Sequence, residues 1–219
     1  MIQSATGIIL RTRPLTETSL IVHWLTPDLG RIATVAKGAR RAQSPFLGKL
    51  DLFYLADFSF SRSGRSDLHT LREVSLRETH GALRRDLGRL RQAAYAASFV
   101  EQATETETPL PAVFELMREF LAGLCRHPST PQTVLAFELK LLHEFGLKPD
   151  LEETKLTPGT KQIVRALMQV DWSACLRLKP TPAQAGELRR FLHGFLIFHL
   201  GRLPKGRSQA LAMQPDGED

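Results

Sequence analysis

The spacing of apolar residues changes near residue 80, and this change constrains the fold more than any other feature of the chain. From residue 7 to residue 77, apolar and polar residues alternate between recurring turn signals, which predicts short β-strands. From about residue 82, the spacing becomes that of amphipathic helices. A run of strands followed by a run of helices predicts an α+β chain. We expect a β-domain over 1–80, a helical domain over 81–210 and a flexible acidic tail over 211–219.

The predicted strands are short and close together along the chain. They cover residues 7–13, 19–26, 31–37, 52–61 and 68–77. Five short antiparallel strands favour a closed barrel, because closure removes exposed sheet edges. We therefore predict an OB-type barrel, with an SH3-like barrel as the alternative on strand count. Trp24, Phe53 and Phe58 are expected to fill its interior.

The second part of the chain predicts a bundle of helices. The helical segments cover residues 84–103, 108 to just before 128, 129–145, 161–170 and 182–200. Gly146 is placed to end the third of these, because glycine adopts the left-handed conformation that often follows a helix. Residues 147–160 are expected to be irregular.

Positive charge is concentrated in the first two fifths of the chain. The whole sequence has 29 Lys and Arg against 23 Asp and Glu, a formal charge of +6. Residues 1–91 contain 15 of these bases and 8 acids, giving +7, whereas residues 92–219 contain 14 and 15, giving −1. This partition favours a polyanion-binding module joined to a neutral one, although a solvated basic surface would look similar.

Known catalytic and metal-binding patterns are missing from the sequence. It has no phosphate-binding glycine loop, no Gly-x-Ser-x-Gly elbow and no His-Glu-x-x-His. Two cysteines, Cys125 and Cys175, are too few for a disulfide framework or a four-thiolate metal site. We therefore predict no catalysis, no cofactor and no metal. An enzyme that uses Asp150, Glu152 and Glu153 with a cation is the weakest alternative.

Neither a membrane span nor a secretory signal is expected. No apolar run approaches the ~20 residues that cross a bilayer. The first residues, Met1 to Ser4, have neither a basic nor an apolar stretch. These features predict a cytoplasmic protein.

The most informative local pattern is a basic loop that follows the third predicted strand. Lys37, Arg40, Arg41 and Lys49 lie within one short stretch with glycine, serine and proline. Such cations can neutralise phosphates, and an arginine can also stack on a base. Nearby aromatic residues could stack as well, although most are expected to be core: Trp24, Phe46, Phe53 and Tyr54.

With these residues, the sequence resembles the bacterial RecO family of recombination mediators. The matching segments are Ile9–Pro14, Glu17–Val22, Leu25–Pro27 with Gly30, Val35–Arg41, Phe137–Leu142, Gly146–Leu147, Pro149–Leu151 and the basic-serine motif Leu203–Ser208. The Ala-Lys-Gly-Ala-Arg motif where the strand ends is the most specific of them. The resemblance covers about residues 5–210.

The resemblance implies a non-catalytic DNA repair protein with an N-terminal OB fold and a helical domain. Members bind single- and double-stranded DNA, anneal complementary strands, contact the tail of single-strand-binding protein, and act with RecR to load RecA. It also implies a cytoplasmic, nucleoid-associated location. The candidate DNA-binding residues that match the family are Arg11, Arg13, Lys37, Arg40 and Arg41, and we add the basic residues Lys49, Arg31, Arg62 and Arg65.

Two departures from the family pattern affect the helical domain. Many members have a cysteine-rich zinc knuckle after the Phe-Glu-Leu helix, but residues 147–174 contain no cysteine, so we predict no zinc. Relatives often have basic residues just before Phe-Glu-Leu, where this chain has Leu135 and Ala136. As residues that bind the acidic tail of single-strand-binding protein, we instead consider Arg118, Arg126, Phe137 and Lys140. An alternative function is an adaptor whose basic barrel binds an acidic protein.

Overall fold

The computed structural model describes residues 1–212, and these form a five-stranded barrel followed by helices. The strands are β1 (Ile2–Pro14), β2 (Leu20–Thr26), β3 (Gly30–Ala36), β4 (Leu55–Ser61) and β5 (Leu68–Glu78). After a 3-10 turn at Gly81–Arg85 come α1 (Leu87–Ala103), α2 (Pro111–Arg126), α3 (Pro131–Glu144), α4 (Pro158–Gln169), α5 (Trp172–Cys175), α6 (Pro182–Leu200) and α7 (Arg207–Leu211). Of the predicted tail, Leu211 is buried at the end of α7, and residues 213–219 lie outside the described part.

The barrel closes in the order β1-β2-β3-β5-β4, and one of its strand pairs is parallel. β3 and β5 run in the same direction, with Ala33 opposite Leu68, whereas the other four pairs are antiparallel. A closed ring of five strands cannot alternate throughout, because an odd number leaves at least one pair pointing the same way. The α+β class and the OB-type barrel are confirmed, while the expectation that every pair is antiparallel is wrong for β3 and β5.

Aromatic side chains fill the barrel interior, as the sequence predicted. Trp24 and Phe58 belong to the buried cluster of the barrel interior, whereas Phe53 is buried but is not part of that cluster. Trp24 stacks on Phe58 with ring centroids 4.0 Å apart, and its indole N–H donates to Thr34 Oγ1 at 2.9 Å. Because that hydrogen bond satisfies the indole N–H, the polar edge of a large ring can lie inside an apolar core without an unpaired donor.

The contacts within the chain separate it into two compact units. The first, here called the barrel unit, consists of Met1–Gly81 with Ala103–Leu121, and the second, the helical unit, of Ala82–Gln102 with the chain from Ala122 onward. The segment after α1 belongs to the first unit because it pairs with β3: Glu107 N–H donates to the Arg31 carbonyl at 2.9 Å. Gly30 has a φ of +64°, and any side chain there would collide with the backbone of Thr108. Glycine therefore permits both the turn and this close approach.

Local capping residues determine where the helices of the second unit begin and end. Thr130 caps α3, which has proline in its first turn, and Gly146 follows that helix with a φ of +71°, as predicted. Thr157 caps α4 and Pro158 opens it, so α4 begins three residues before the predicted start. Thr181 forms a capping box with Gln184, and α6 has the predicted bounds.

A buried ion pair joins the Phe-Glu-Leu helix to the basic-serine motif. The carboxylate of Glu138 on α3 accepts two hydrogen bonds from the guanidinium of Arg207 on α7, at 2.7 and 2.9 Å. It also accepts one from the Tyr95 hydroxyl at 2.5 Å. Burial and the negative charge of Glu138 raise the pKa of Tyr95. Burial lowers the pKa of Arg207, but the hydrogen bonds and charge of Glu138 outweigh this and raise it overall.

Among residues 1–212, no helix is both long and apolar enough to cross a bilayer.

Candidate nucleic-acid interface

Three strands of the barrel present basic side chains on one outer face. Arg11 lies opposite His23 in the β1–β2 pair, and Arg13 lies opposite Ile21. Directly paired residues of antiparallel strands point to the same side of a sheet. Arg31, on β3, is opposite Leu25, two residues along β2 from His23, and so shares this side. We call Arg11, Arg13, His23 and Arg31 the basic face.

The charges of the basic face act on one another. Burial, and then the charges of the three arginines, lower the pKa of His23. Burial and the charge of Arg13 lower the pKa of Arg11, and burial and the charge of Arg11 lower the pKa of Arg31. Each shift disfavours the protonated form, because burial removes water from the charged group and like charges at close range repel. The face therefore concentrates positive potential that an anionic ligand would relieve.

The basic loop lies between β3 and β4 and is fixed to the barrel by its own apolar residues. Ala39 and Phe46 are buried in the barrel core, while Lys37, Arg40 and Arg41 are exposed. Consecutive turns build the loop: Ala39 N–H donates to the Ala36 carbonyl at 3.3 Å and Arg41 N–H to the Gly38 carbonyl at 3.1 Å. The loop thus presents its cations from a held backbone.

Backbone contacts connect the basic loop to the β1–β2 connection. Arg40 N–H donates to the Thr18 carbonyl at 3.0 Å, and the Arg40 guanidinium donates to the Thr16 carbonyl at 3.3 Å. The start of the loop therefore lies at the end of the barrel where Pro14 closes β1. Arg13 and the loop cations are consequently presented at neighbouring positions of one barrel unit.

The remaining basic candidates differ in how far they are engaged by other residues. Arg31 donates to Thr104 through both its side-chain Nε and Nη2, so it also holds the segment after α1. Arg62 is exposed but pairs with the carboxylate of Glu107. Arg65 is exposed in the β4–β5 hairpin loop. The structure thus places Arg13 near the start of the loop and Arg11 and Arg31 farther along the same face, and it gives Arg62 a local acidic partner.

Two basic residues of the barrel, His23 and Arg72, were not among the candidates predicted from the sequence. His23 alternates with the core residues Val22 and Trp24, and this period-two pattern is the signal that could have placed it beside Arg11. Arg72 on β5 lines a cavity of about 420 Å³ together with Lys49. Lys49 therefore faces a groove against β4 and β5.

Most aromatic residues near the loop are unavailable for stacking on bases. Trp24, Phe46 and Phe53 are buried in the barrel unit. Tyr54 is partly buried and packs against the same core. On this barrel, the basic side chains are accordingly the groups that can meet a nucleic acid.

The residues considered for an acidic partner tail are not gathered into one site. Arg118 is exposed on α2 and pairs with Glu115 at 2.6 Å, which raises its pKa. Arg126 is exposed at the end of α2. Phe137 is fully buried and packs edge-on against Phe99, so it is a core residue and not a surface contact.

Lys140 has a structural partner within the helical unit. Its ammonium donates to the Met168 carbonyl at 3.1 Å, near the end of α4, and lies 5.6 Å from the ring centre of Trp172. A cation at the last carbonyls of a helix satisfies groups that lack partners within the helix. Lys140 therefore connects α3 to the end of α4.

The residues of the chain do not fit the zinc knuckle that many members of the resembled family carry. Among residues 1–212, no group of three or more His, Cys, Asp or Glu side chains could hold a metal ion. Cys175 is buried, and burial raises the pKa of its thiol, which disfavours the thiolate that zinc requires.

Comparison with known proteins places the two parts of the chain in one family. Residues 1–80 match the family model described as recombination protein O N terminal, and residues 84–155 match the model described as recombination protein O C terminal. The two family models thus match residues in both units.

Curated relatives named DNA repair protein RecO align with the chain. The protein from Anaeromyxobacter dehalogenans strain 2CP-C is 35% identical over 232 residues, covering 90% of this chain and 91% of the relative. That from Alkaliphilus metalliredigens is 36% identical over 237 residues, covering 93% and 96%. That from Anaeromyxobacter sp. strain K is 36% identical over 147 residues, and this match spans 58% of the relative's length. The chain belongs to the RecO family.

Proposed function

We propose that this chain is a DNA repair and recombination mediator that binds single- and double-stranded DNA. The observation that carries the proposal is the basic face of the barrel, where paired strands place Arg11, Arg13, His23 and Arg31 on one side, and where burial and neighbouring arginine charges lower the pKa of Arg11, His23 and Arg31. Membership of a family whose relatives are named DNA repair proteins supports the same function. The basic loop supplies the exposed cations Lys37, Arg40 and Arg41 on the same unit.

Binding would take place through phosphates, because the barrel offers cations and few exposed rings. Each phosphate contact releases a condensed counterion, so affinity for a single strand falls with salt at a log–log slope of about −0.7 per contact. With five or six contacts, the slope would be about −4. Sequence preference should be weak, since phosphate contacts position a nucleic acid and do not specify its bases.

Charge neutralisation also gives a physical basis for strand annealing. Two DNA strands repel through their phosphates, and a cationic surface lowers this repulsion. The basic face binds the backbone and leaves base edges available for pairing. The proposed role needs no catalytic group, and we propose that the chain acts without catalysis.

We further propose that the chain acts with RecR to load RecA and that it contacts the acidic tail of single-strand-binding protein. Arg126 and Arg118 remain candidates for a terminal carboxylate, since charge-assisted pairs with arginine are strong. Phe137 and Lys140 would contribute by holding the helical unit together, because one is buried and the other is bound to Met168.

The test is the salt dependence of oligonucleotide binding by a charge-reversed loop. The variant Lys37→Glu/Arg40→Glu/Arg41→Glu, here called the loop variant, replaces three exposed cations. Loss of three contacts should reduce the magnitude of the log–log slope by about 2, in addition to weakening binding. Fluorescence anisotropy of a labelled single strand at several salt concentrations measures both quantities.

A matched control distinguishes the effect of where the charges are reversed from the effect of the change in net charge. Lys148, Lys155 and Lys179 are exposed in the helical unit, and reversing all three to Glu changes the net charge by the same amount. This helical-unit variant should keep most of the slope. Equal slopes for the wild type and the loop variant would refute the assignment. Displacement of the oligonucleotide by an acidic peptide at equal charge concentration would instead favour the adaptor.

A further inference from the structure

An aromatic strip runs along α6 in the helical unit, partly buried at Phe191 and Phe195 and exposed at Phe198 and His199. The rings of Phe191 and Phe195 are 5.6 Å apart, those of Phe195 and His199 are 4.3 Å apart, and those of Phe198 and His199 are 5.0 Å apart. Phe198 is 82% exposed. Apolar rings are seldom left so open without a partner, and we call these four residues the aromatic strip.

The core of the unit does not account for this strip. α6 packs through Leu188, Leu192 and Leu196, which are the buried residues of this helix. Phe198 lies beyond that buried stripe, and its ring contacts His199, which is itself exposed. Shortening Phe198 therefore should leave packing intact, and its presence calls for a role on the surface.

The chain around the aromatic strip is strongly basic. Residues 188–212 contain five Lys and Arg and no Asp or Glu. The buried Glu138 neutralises Arg207, so four cations remain as a local excess in the otherwise neutral second part of the chain. Arg202 and Lys205 are exposed just beyond the strip. The Arg202 carbonyl accepts a hydrogen bond from Gln102 at 2.7 Å, so its backbone is held while its side chain faces solvent. Glu187, the one acid of α6, is engaged by Thr157 and Thr160.

We propose that the aromatic strip is a second single-strand DNA-binding surface, separate from the barrel. Unpaired bases stack on Phe198 and His199, and Arg202 and Lys205 contact the flanking phosphates. Aromatic platforms beside cations are the combination that binds single strands with little sequence preference. The positive charge selects a polyanion over an apolar protein surface. The inference adds to the proposed function a site that needs unpaired bases.

A site of this kind would allow one chain to distinguish single strands from duplexes. Bases inside a duplex are already stacked and cannot lie on a side-chain ring. The barrel cations, by contrast, bind the phosphates of either form. Two surfaces with different requirements also provide separate places for two strands during annealing.

The first test compares substitutions that separate stacking from apolar contact. Phe198→Leu keeps an apolar side chain but removes the ring, and should weaken binding of a labelled oligothymidine about 5- to 150-fold. Duplex binding should not change. Ile197→Ala is the matched control, because Ile197 is a partly exposed apolar residue of the same helix and has no ring. Phe198→Trp should retain or improve affinity.

The second measurement observes stacking directly. The fluorescence of the indole introduced by Phe198→Trp should be quenched when oligothymidine binds. The fluorescence of the wild type, which comes from the buried Trp24 and from Trp172, is the background for this measurement. Absence of quenching at saturation would overturn the proposal. So would wild-type oligothymidine affinity in Phe198→Leu, or an equal loss for duplex. A wild-type dimer that Phe198→Leu dissociates, with unchanged oligothymidine binding, would assign the strip to a second copy of the chain.

Repeating the Phe198→Leu measurement in the loop variant distinguishes this inference from the proposed function. If the loop does not bind DNA, the loop variant keeps wild-type affinity and Phe198→Leu still weakens oligothymidine binding. If the aromatic strip does not bind DNA, only the loop variant loses affinity, and Phe198→Leu weakens binding no further. If both surfaces contact the same oligonucleotide, the two losses should multiply, because contacts without shared partners contribute additively to the binding free energy.

Discussion

Replacing Arg207 by methionine should strongly destabilise the helical unit. The Glu138 carboxylate is fully buried and the Arg207 side chain is 7% exposed, so water cannot replace the lost guanidinium. Of the three hydrogen bonds that this carboxylate accepts, Arg207 supplies two. Removing one partner of a buried ion pair costs about 3–5 kcal/mol, because the remaining charge lacks compensation. In a chain of this size, that lowers the melting temperature by about 6–20 °C.

The assay is urea or thermal unfolding followed by circular dichroism at 222 nm, which reports mainly on helices. Arg118→Met is the matched control, because Arg118 forms an ion pair with Glu115 in which both side chains are about half exposed. Exposed pairs contribute about 0–1 kcal/mol, so this variant should unfold almost like the wild type. The two substitutions are chemically identical. They differ in the burial of the ion pair and in the unit that carries it, since Arg118 belongs to the first unit.

A combined variant tests whether the orphaned charge is the cause. Tyr95→Phe/Glu138→Leu/Arg207→Met removes the whole polar group, leaving no buried carboxylate or hydroxyl without a partner. Apolar replacement of a buried ion pair is often neutral, so this variant should be more stable than Arg207→Met alone. If Arg207→Met is as stable as Arg118→Met, the reasoning is refuted.

Two further predictions concern the barrel unit. Gly30→Ala should lower the free energy of unfolding in urea by at least about 2 kcal/mol, because it combines a positive φ with a backbone collision. Gly48→Ala, at a φ of +72° with open space around it, should lower it by about 1 kcal/mol. Equal losses for the two variants would contradict the collision. Asp57 has its pKa lowered by a hydrogen bond from Thr6 and then by Arg77, so its contribution is present above the pKa of the unfolded state, about 4, and is lost as pH falls toward the lower folded value. Because Asp57 is 42% exposed, Asp57→Asn should cost less than about 1 kcal/mol at pH 7 and a smaller amount at pH 2, and a difference that grows on acidification would contradict this sign.

Local rules accounted for most elements of the fold. Thr130 followed by Pro131 and the glycine at 146 define the ends of α3 because capping chemistry depends on neighbouring residues alone. The parallel β3–β5 pair could not be read from alternation, because a strand's pattern is the same in either direction. The early start of β1 at Ile2 depends on pairing with Ser61, a contact far apart in sequence.

The candidate site was predictable in composition and less so in detail. The basic loop stood out because Lys37, Arg40 and Arg41 lie close together in sequence. His23 escaped notice because its arginine neighbours lie on other strands. Phe137 belongs to a helix that is buried on several sides, and its motif alone does not reveal which way its ring points. Such placements depend on tertiary packing, which local sequence does not encode.

Strand annealing tests the central claim most directly. The measurement is the rate at which two complementary labelled oligonucleotides, coated with single-strand-binding protein, form a duplex in the presence of the wild-type chain or the loop variant. We predict that the wild type accelerates annealing, that the helical-unit variant retains this effect, and that the loop variant loses it. Deleting the acidic tail of single-strand-binding protein should reduce the wild-type rate. A loop variant that anneals strands at the wild-type rate would contradict the account.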